Sequence, residues 1–177
     1  MSYAQHHAQA TRQVGIAILT VSDTKGPNDD KSGATILEAL QKGGHRPAGR
    51  DWSRDEVAEI AGRAKELLAS PDADALIVTG GTGVSPRDVT VEALRPHFAK
   101  ELPGFGERFR ALSADTIGSG AILSRATAGL LAVGHHQKPV FLLPGAPEAC
   151  RVAVEKIIAP EVSHLVELAN GTRQTHG

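Results

Sequence analysis

Cysteine is almost absent: Cys150 is the only one in 177 residues. An intramolecular disulfide is therefore impossible and a zinc ribbon or finger cannot be built, so a reduced compartment is expected. Charge of one sign is missing as well. Nineteen Lys and Arg stand against twenty Asp and Glu, for a net charge of -1. With no basic field over the chain, non-specific binding to DNA or RNA is not expected. Any anionic ligand must be held by local devices such as backbone amides and helix ends. Long apolar runs are lacking too, since no stretch approaches the roughly 18 consecutive apolar residues of a membrane helix. The opening MSYAQHHAQATRQ has no apolar run and does not read as a signal peptide. The expectation is a cytoplasmic protein, with His6 and His7 as tail residues rather than metal ligands. No repeat, low-complexity tract or linker is visible. The length suits one domain, expected over 14–170, with flexible tails at 1–13 and 171–177.

What is present alternates between strand and helix patterns. Residues 14–21 (VGIAILTV) form a continuous apolar run, as expected of a strand buried on both faces. After a polar loop over 22–31, Ser32 is placed to cap a helix with Ile36, Leu37 and Leu40 on one face, stopped by Gly43 and Gly44. Residues 45–52 read as a weaker strand. Ser53 and Glu56 form a capping-box pattern, and behind it Val57, Ile60, Ala61, Ala64, Leu67 and Leu68 follow helical spacing. Residues 75–79 (ALIVT) are another buried strand, and 89–94 and 104–112 look like short helices. Residues 129–133 and 139–143 are apolar runs joined by GHHQK, a hairpin and hence an antiparallel pair. Residues 149–158 are helical again. This alternation predicts a three-layer α/β/α protein whose mostly parallel, Rossmann-like sheet carries an antiparallel edge pair.

Three small-residue polar loops each follow an apolar strand and precede a helix: Ser22-Asp23-Thr24, Gly80-Gly81-Thr82-Gly83 and Pro144-Gly145-Ala146-Pro147. Open α/β sheets bind ligands outside the carboxyl ends of their strands, so the three loops are expected to converge on one crevice. Glycines let the backbone turn tightly and bring N–H groups close to a bulky anion, and helix N-termini add partial positive charge for phosphate. The pattern is not a P-loop, because no Gly-Lys-Ser/Thr follows, nor a G-x-G-x-x-G fingerprint after the first strand. An unrelated Rossmann-type oxidoreductase is disfavoured by that lack. A bare glycine pair is usually a turn required by geometry, but here Thr82, Ser85, Arg87, Asp88, Thr90 and Glu92 follow it, and a binding loop is the better reading. Asp88 is either a helix N-cap or a functional carboxylate, and Asp55, expected in the first turn of its helix, offers the same choice. Two carboxylates beside a phosphate site would repel the ligand without a cation, and magnesium is the ion that prefers carboxylate and phosphate oxygens. Ser124-Arg125 is a further polar pair, with Arg125 facing either a phosphate or a surface carboxylate. Phe105 and Phe109 read as core or subunit-interface residues, His135 and His136 as hairpin-turn residues without a catalytic role, and Cys150 as a buried small side chain.

Together these residues resemble the MoaB/MogA family of molybdenum-cofactor biosynthesis proteins, along about 14–168. The markers are LTVSDT with DDKSG, then GGTGVSPRDVTVEAL, PGFGERFR, LSRATAG and FLLPGAPEA. DDKSG and the short tail look more like the MoaB branch. The resemblance implies a molybdopterin-binding fold in homotrimers, or in hexamers built from trimers. It also implies an activity, the magnesium-dependent transfer of AMP from ATP to the terminal phosphate of molybdopterin with release of pyrophosphate. A binding or assembly subunit of the same pathway, without turnover, is the alternative. By match to the family pattern, Asp55 and Asp88 would be the catalytic aspartates, with Asp88 on the metal. Ser22, Asp23, Gly80, Gly81, Thr82, Gly83, Ser85, Thr90, Glu92, Ser124, Pro144, Gly145 and Pro147 would contact substrate. Where relatives often have Pro-Asp-Glu or Pro-Asp-Asp, this chain has Arg54-Asp55-Glu56. A phosphate monoester, with a second pKa of about 6, is already a nucleophile at neutral pH, which suits a site without a Ser-His or Cys-His pair.

Overall fold

Six strands form one sheet in the computed structural model, which describes residues 12–171; the expectations for His6, His7 and 172–177 lie outside those residues. Strand β1 (Gly15–Val21) is buried along its whole length, as its unbroken apolar run requires. It lies between β2 (Arg46–Ser53) and β3 (Ala75–Thr79), parallel to both. Strand β6 (His136–Leu143) continues the parallel set beside β3, and β5 (Thr127–Val133) folds back antiparallel onto β6. A short strand β4 (Phe98–Glu101), which the sequence patterns had not marked, pairs antiparallel with β5 and forms the edge. The order is therefore β2-β1-β3-β6-β5-β4. The expected hairpin is present, and β4 lies outside it. A Cβ on Gly129 would collide with the Phe98 ring. That missing side chain lets the aromatic lie across the strand and pins the β4–β5 register.

The period-2 alternation of the strands sorts the helices into two layers. Ile16, Ile18, Ala75, Ile77, Ala128, Phe141 and Leu143 face one core. It is closed by helices α1 (Lys31–Lys42), α4 (Pro103–Ile117), α5 (Pro147–Ala153) and α6 (Ala159–Asn170). The alternate residues Ala17, Leu19, Val21, Leu76, Val78, Val140 and Leu142 face α2 (Val57–Ala69) and α3 (Thr90–Leu94). The three-layer α/β/α architecture read from the sequence is thus the one observed. Phe105 and Phe109 are buried, with Phe105 against Phe141 at a centroid distance of 5.3 Å; they are core residues. Helices α5 and α6 are one run joined by a π-helical turn at Val154–Ile158, so the last helix extends well past 158. None of the described helices is long and apolar enough to cross a membrane.

Three helix starts differ from the sequence reading. Helix α1 is capped by Asp30, whose carboxylate accepts the Gly33 N–H at 2.8 Å, while Ser32 lies inside the helix. The Ser53–Glu56 capping box does not form. Parallel pairing of Ser53 with Val21 holds Ser53 in β2, and its hydroxyl donates to the Arg54 carbonyl instead. The N-cap position falls on Glu56, without a side-chain hydrogen bond. Asp55 therefore precedes α2 rather than sitting in its first turn. Asp88 is not the N-cap of α3 either; Val89 occupies that position.

Candidate functional site

The carboxyl ends of β1, β3 and β6 bring the expected loops together. Gly80 and Gly81 both have positive φ, +103° and +65°, a region in which residues with a Cβ are strained. A Cβ at Gly80 would collide with the Val21 carbonyl, and one at Gly81 with the Thr90 hydroxyl, while lying 2.8 Å from Asp55 Oδ1. The glycines are thus required by close packing as well as by backbone angle. Around them the Gly80 N–H donates to the Leu143 carbonyl (3.0 Å). Thr79 Oγ1 donates to the Pro144 carbonyl (2.8 Å), and Ser32 Oγ to that of Gly145 (2.7 Å). The Ser32 contact explains why a residue read as a cap is buried. It ties α1 to the PGAP loop.

The resulting cleft, of about 280 Å³, is lined by Gly81, Thr82, Gly83, Asp88, Leu123, Ser124, Pro144 and Gly145. Thr90 is fully buried behind it. Its hydroxyl donates to the Gly80 carbonyl (2.8 Å) and its N–H to that of Gly81 (3.0 Å), so as placed it supports the loop. The N–H groups of Gly81, Thr82, Gly83 and Val84 have no acceptor among the described residues. A row of free amides that begins at the positive-φ Gly81 is an anion-binding concavity. Ser85 and Glu92 line an adjoining hollow on the other side of Asp88. Glu92 is held by Arg125, whose guanidinium keeps its carboxyl below the ordinary range. Arg125 therefore meets a carboxylate, one of the two partners open to it from sequence. Pro147 is the first residue of α5, and the Ser22 hydroxyl accepts the Lys25 N–H at 3.0 Å in a local turn.

The carboxylates form a linked group at the mouth. Asp23 Oδ1 accepts the Asp55 N–H (3.0 Å), and its Oδ2 accepts Nε and Nη2 of Arg87 (2.9 and 2.5 Å). One side chain thereby joins the loops after β1, β2 and β3. Arg87 and the Asp55 N–H hold the Asp23 carboxyl below its ordinary range. Asp55 is shifted the opposite way: burial raises it first, then the negative charges of Asp23 and Asp88. Asp88 Oδ2 accepts the Ser85 N–H at 2.9 Å, the bond that replaces a helix cap. The donor set of Asp55 and Asp88 beside a phosphate-binding loop is of the oxygen type that magnesium prefers. No group of three or more acidic, His or Cys residues spaced for a metal occurs among the described residues.

Other features lie away from this cleft. A cavity of about 620 Å³ lies at the opposite end of the sheet, lined by Arg12, Asp74, His136, Lys138 and Asn170 among others. The Lys138 ammonium there is turned onto the carbonyls of Leu68 and Ser70 (2.7 and 3.2 Å). His135 and His136 share that end. Cys150 is buried, hydrogen-bonded to Thr79 and Pro144, and its thiol is pushed up to about 11 by burial; it is no nucleophile at neutral pH.

The model of a probable molybdopterin binding domain matches residues 17–164, a span holding all of the loops just described. The chain belongs to the MoaB/MogA family. It is similar to molybdenum cofactor biosynthesis protein B of Bacillus subtilis, with 41% identity over 167 residues covering 94% of this chain and 96% of that one. The protein of the same name from Halalkalibacterium halodurans is 42% identical over 167 residues, with the same coverages. Among solved structures, the tungsten cofactor synthesizing protein MoaB from Pyrococcus furiosus is 38% identical with a TM-score of 0.83, over 90% of this chain and 99% of that one. This MoaB-branch chain acts in molybdenum-cofactor biosynthesis, and in its structure the glycine loop, Asp55 and Asp88 lie together at the carboxyl ends of the strands.

Proposed function

We propose that the chain adenylylates molybdopterin, using ATP and magnesium, at the cleft between the glycine loop and the PGAP loop. The observation that carries this reading is the row of four unpaired N–H groups over 81–84 beside Asp55 and Asp88. It offers donors to phosphate oxygens next to carboxylates suited to a divalent cation. The terminal phosphate oxygen of molybdopterin attacks the α-phosphorus of ATP. A new phosphoanhydride bond forms, the α–β bridging P–O bond breaks, and its electron pair leaves with pyrophosphate. The nucleophile is already ionised, so the protein has two tasks, aligning two polyanions and offsetting charge at the α-phosphate. Gly81–Gly83 hold phosphate oxygens, Ser124 and the PGAP loop orient the other substrate, and exposed Leu123 gives the pterin ring an apolar wall. Asp88, with one carboxylate oxygen not engaged by Ser85, would hold magnesium together with Asp55. The ion supplies charge neutralisation at the transferring phosphate.

Asp23 and Arg87 keep the mouth in register by fixing the Asp55 main chain. We further read the protein as a cytoplasmic homotrimer, or a hexamer of two trimers, on family likeness, and light scattering checks this directly. The functional test is incubation with molybdopterin, ATP and magnesium, followed by chromatography of the pterin. Adenylylated pterin with pyrophosphate is expected. Bound pterin with no ATP consumed would make this chain a binding or assembly subunit.

A further inference from the structure

The carbonyl groups of the glycine loop pose a problem that its amides do not. A loop that offers N–H groups to phosphate must turn its carbonyl oxygens elsewhere, because each one facing the cleft would repel the ligand. In a trans peptide the two groups point to opposite sides. Whatever captures the carbonyls therefore aims the amides.

One residue captures three of them. The Arg125 main-chain N–H donates to the Thr82 carbonyl (2.9 Å), Nε to that of Gly83 (2.8 Å) and Nη2 to that of Asp88 (2.9 Å). Nη1 and Nη2 also meet the two oxygens of Glu92, which anchors the guanidinium behind the loop. From these contacts we infer that Arg125 is a positioning residue for phosphate binding. By drawing in the carbonyls of Thr82 and Gly83, it turns the amides of Gly83 and Val84 toward the ligand, the side chain acting on the Gly83–Val84 peptide, and by holding the Asp88 carbonyl it fixes the chain there. This deepens the proposed function and rests on its placing of phosphate at Gly81–Gly83. The planar fork is essential, because donors set at fixed angles reach two carbonyls and a carboxylate at once. A lysine keeps the charge and the ion pair but cannot span that set.

The test uses the whole protein with Arg125→Lys and Arg125→Ala. Crystal structures of the variants read the loop itself, and calorimetry with inorganic pyrophosphate and with AMP reads binding. Arg125→Lys should melt close to the parent through its retained pairing with Glu92, yet show the Gly83 or Asp88 carbonyl rotated into the cleft. It should bind pyrophosphate about 10-fold or more weakly, as expected for lost charge-assisted hydrogen bonding. Arg125→Ala should weaken binding at least as much. Parent-like peptide orientations or parent-like affinity in Arg125→Lys would overturn the inference. So would failure of Arg125→Lys to fold, which would make the residue structural. If the parent protein binds neither probe, the phosphate-site reading fails, and the loop orientations still decide the role of Arg125.

Discussion

Asp30 should be one of the most costly polar side chains to remove, and the size of the loss can be worked from its contacts. Its carboxylate accepts the Gly33 N–H (2.8 Å), the Thr20 hydroxyl (2.6 Å) and Arg50 Nη2 (2.8 Å), and its side chain is only 4% exposed. Burial alone would push its carboxyl up, but Arg50, Thr20 and Gly33 outweigh that and leave it lowered. Loss of a cap costs about 1 kcal/mol. Breaking a fully buried ion pair costs about 3–5 kcal/mol, but the Arg50 side chain is 38% exposed and can regain water. Asp30→Ala should therefore cost about 2–3 kcal/mol. Asp30→Asn keeps an oxygen for Gly33 but sets an amide against Arg50, and about 1–2 kcal/mol is expected. Urea unfolding gives both values. Because the folded pKa is depressed, the stability Asp30 contributes is present above its unfolded pKa and lost as pH falls through the folded one. The gap between parent and Asp30→Asn should thus be constant near neutrality and close in acid below about pH 4. Equal stabilities at pH 7, or a gap that persists in strong acid, would refute this reasoning.

Gly81→Ala should destabilise by about 2 kcal/mol or more, because αL geometry costs roughly 1–2 kcal/mol before the collision with Thr90; thermal unfolding measures it, and an unchanged melting temperature would contradict the close packing. Asp88→Asn should keep the Ser85 hydrogen bond and the fold while lowering turnover by about 10²–10³-fold, or roughly 3–4 kcal/mol of transition-state stabilisation; its melting temperature and rate are compared side by side. Asp55 has a raised folded pKa, so the stability tied to its proton is complete below its unfolded pKa and lost as pH rises through the folded one. Asp55→Asn should accordingly be more stable than the parent at neutral pH, with the advantage vanishing in acid. Unfolding curves at several pH values decide this.

The sheet and its layers were legible because β1, β3 and the end of β6 are continuous apolar runs, as strands buried on both faces require, and helical patterns alternate with them. Strand β4 was not, since FAKE is short, largely exposed and held by pairing with β5 and by Phe98 over Gly129. Helix starts were misplaced where tertiary contacts overrode local signals. Pairing with β1 kept Ser53 extended, and the PGAP loop claimed the Ser32 hydroxyl. Asp30 carried a usable signal, an aspartate three residues before Gly33 at a helix start, but the neighbouring serine competed with it. The glycine loop was readable from its composition. The Arg125 contacts to the carbonyls of 82, 83 and 88 were not, because sequence separation of about forty residues leaves no local trace.

Adenylyl transfer is tested most directly by following separately labelled phosphates of ATP in the presence of molybdopterin and magnesium. Label in the α-phosphate should appear in the pterin product, with β- and γ-label recovered in pyrophosphate in equal amount. Label from the γ-phosphate in the pterin, or intact ATP beside protein-bound pterin, would contradict the account.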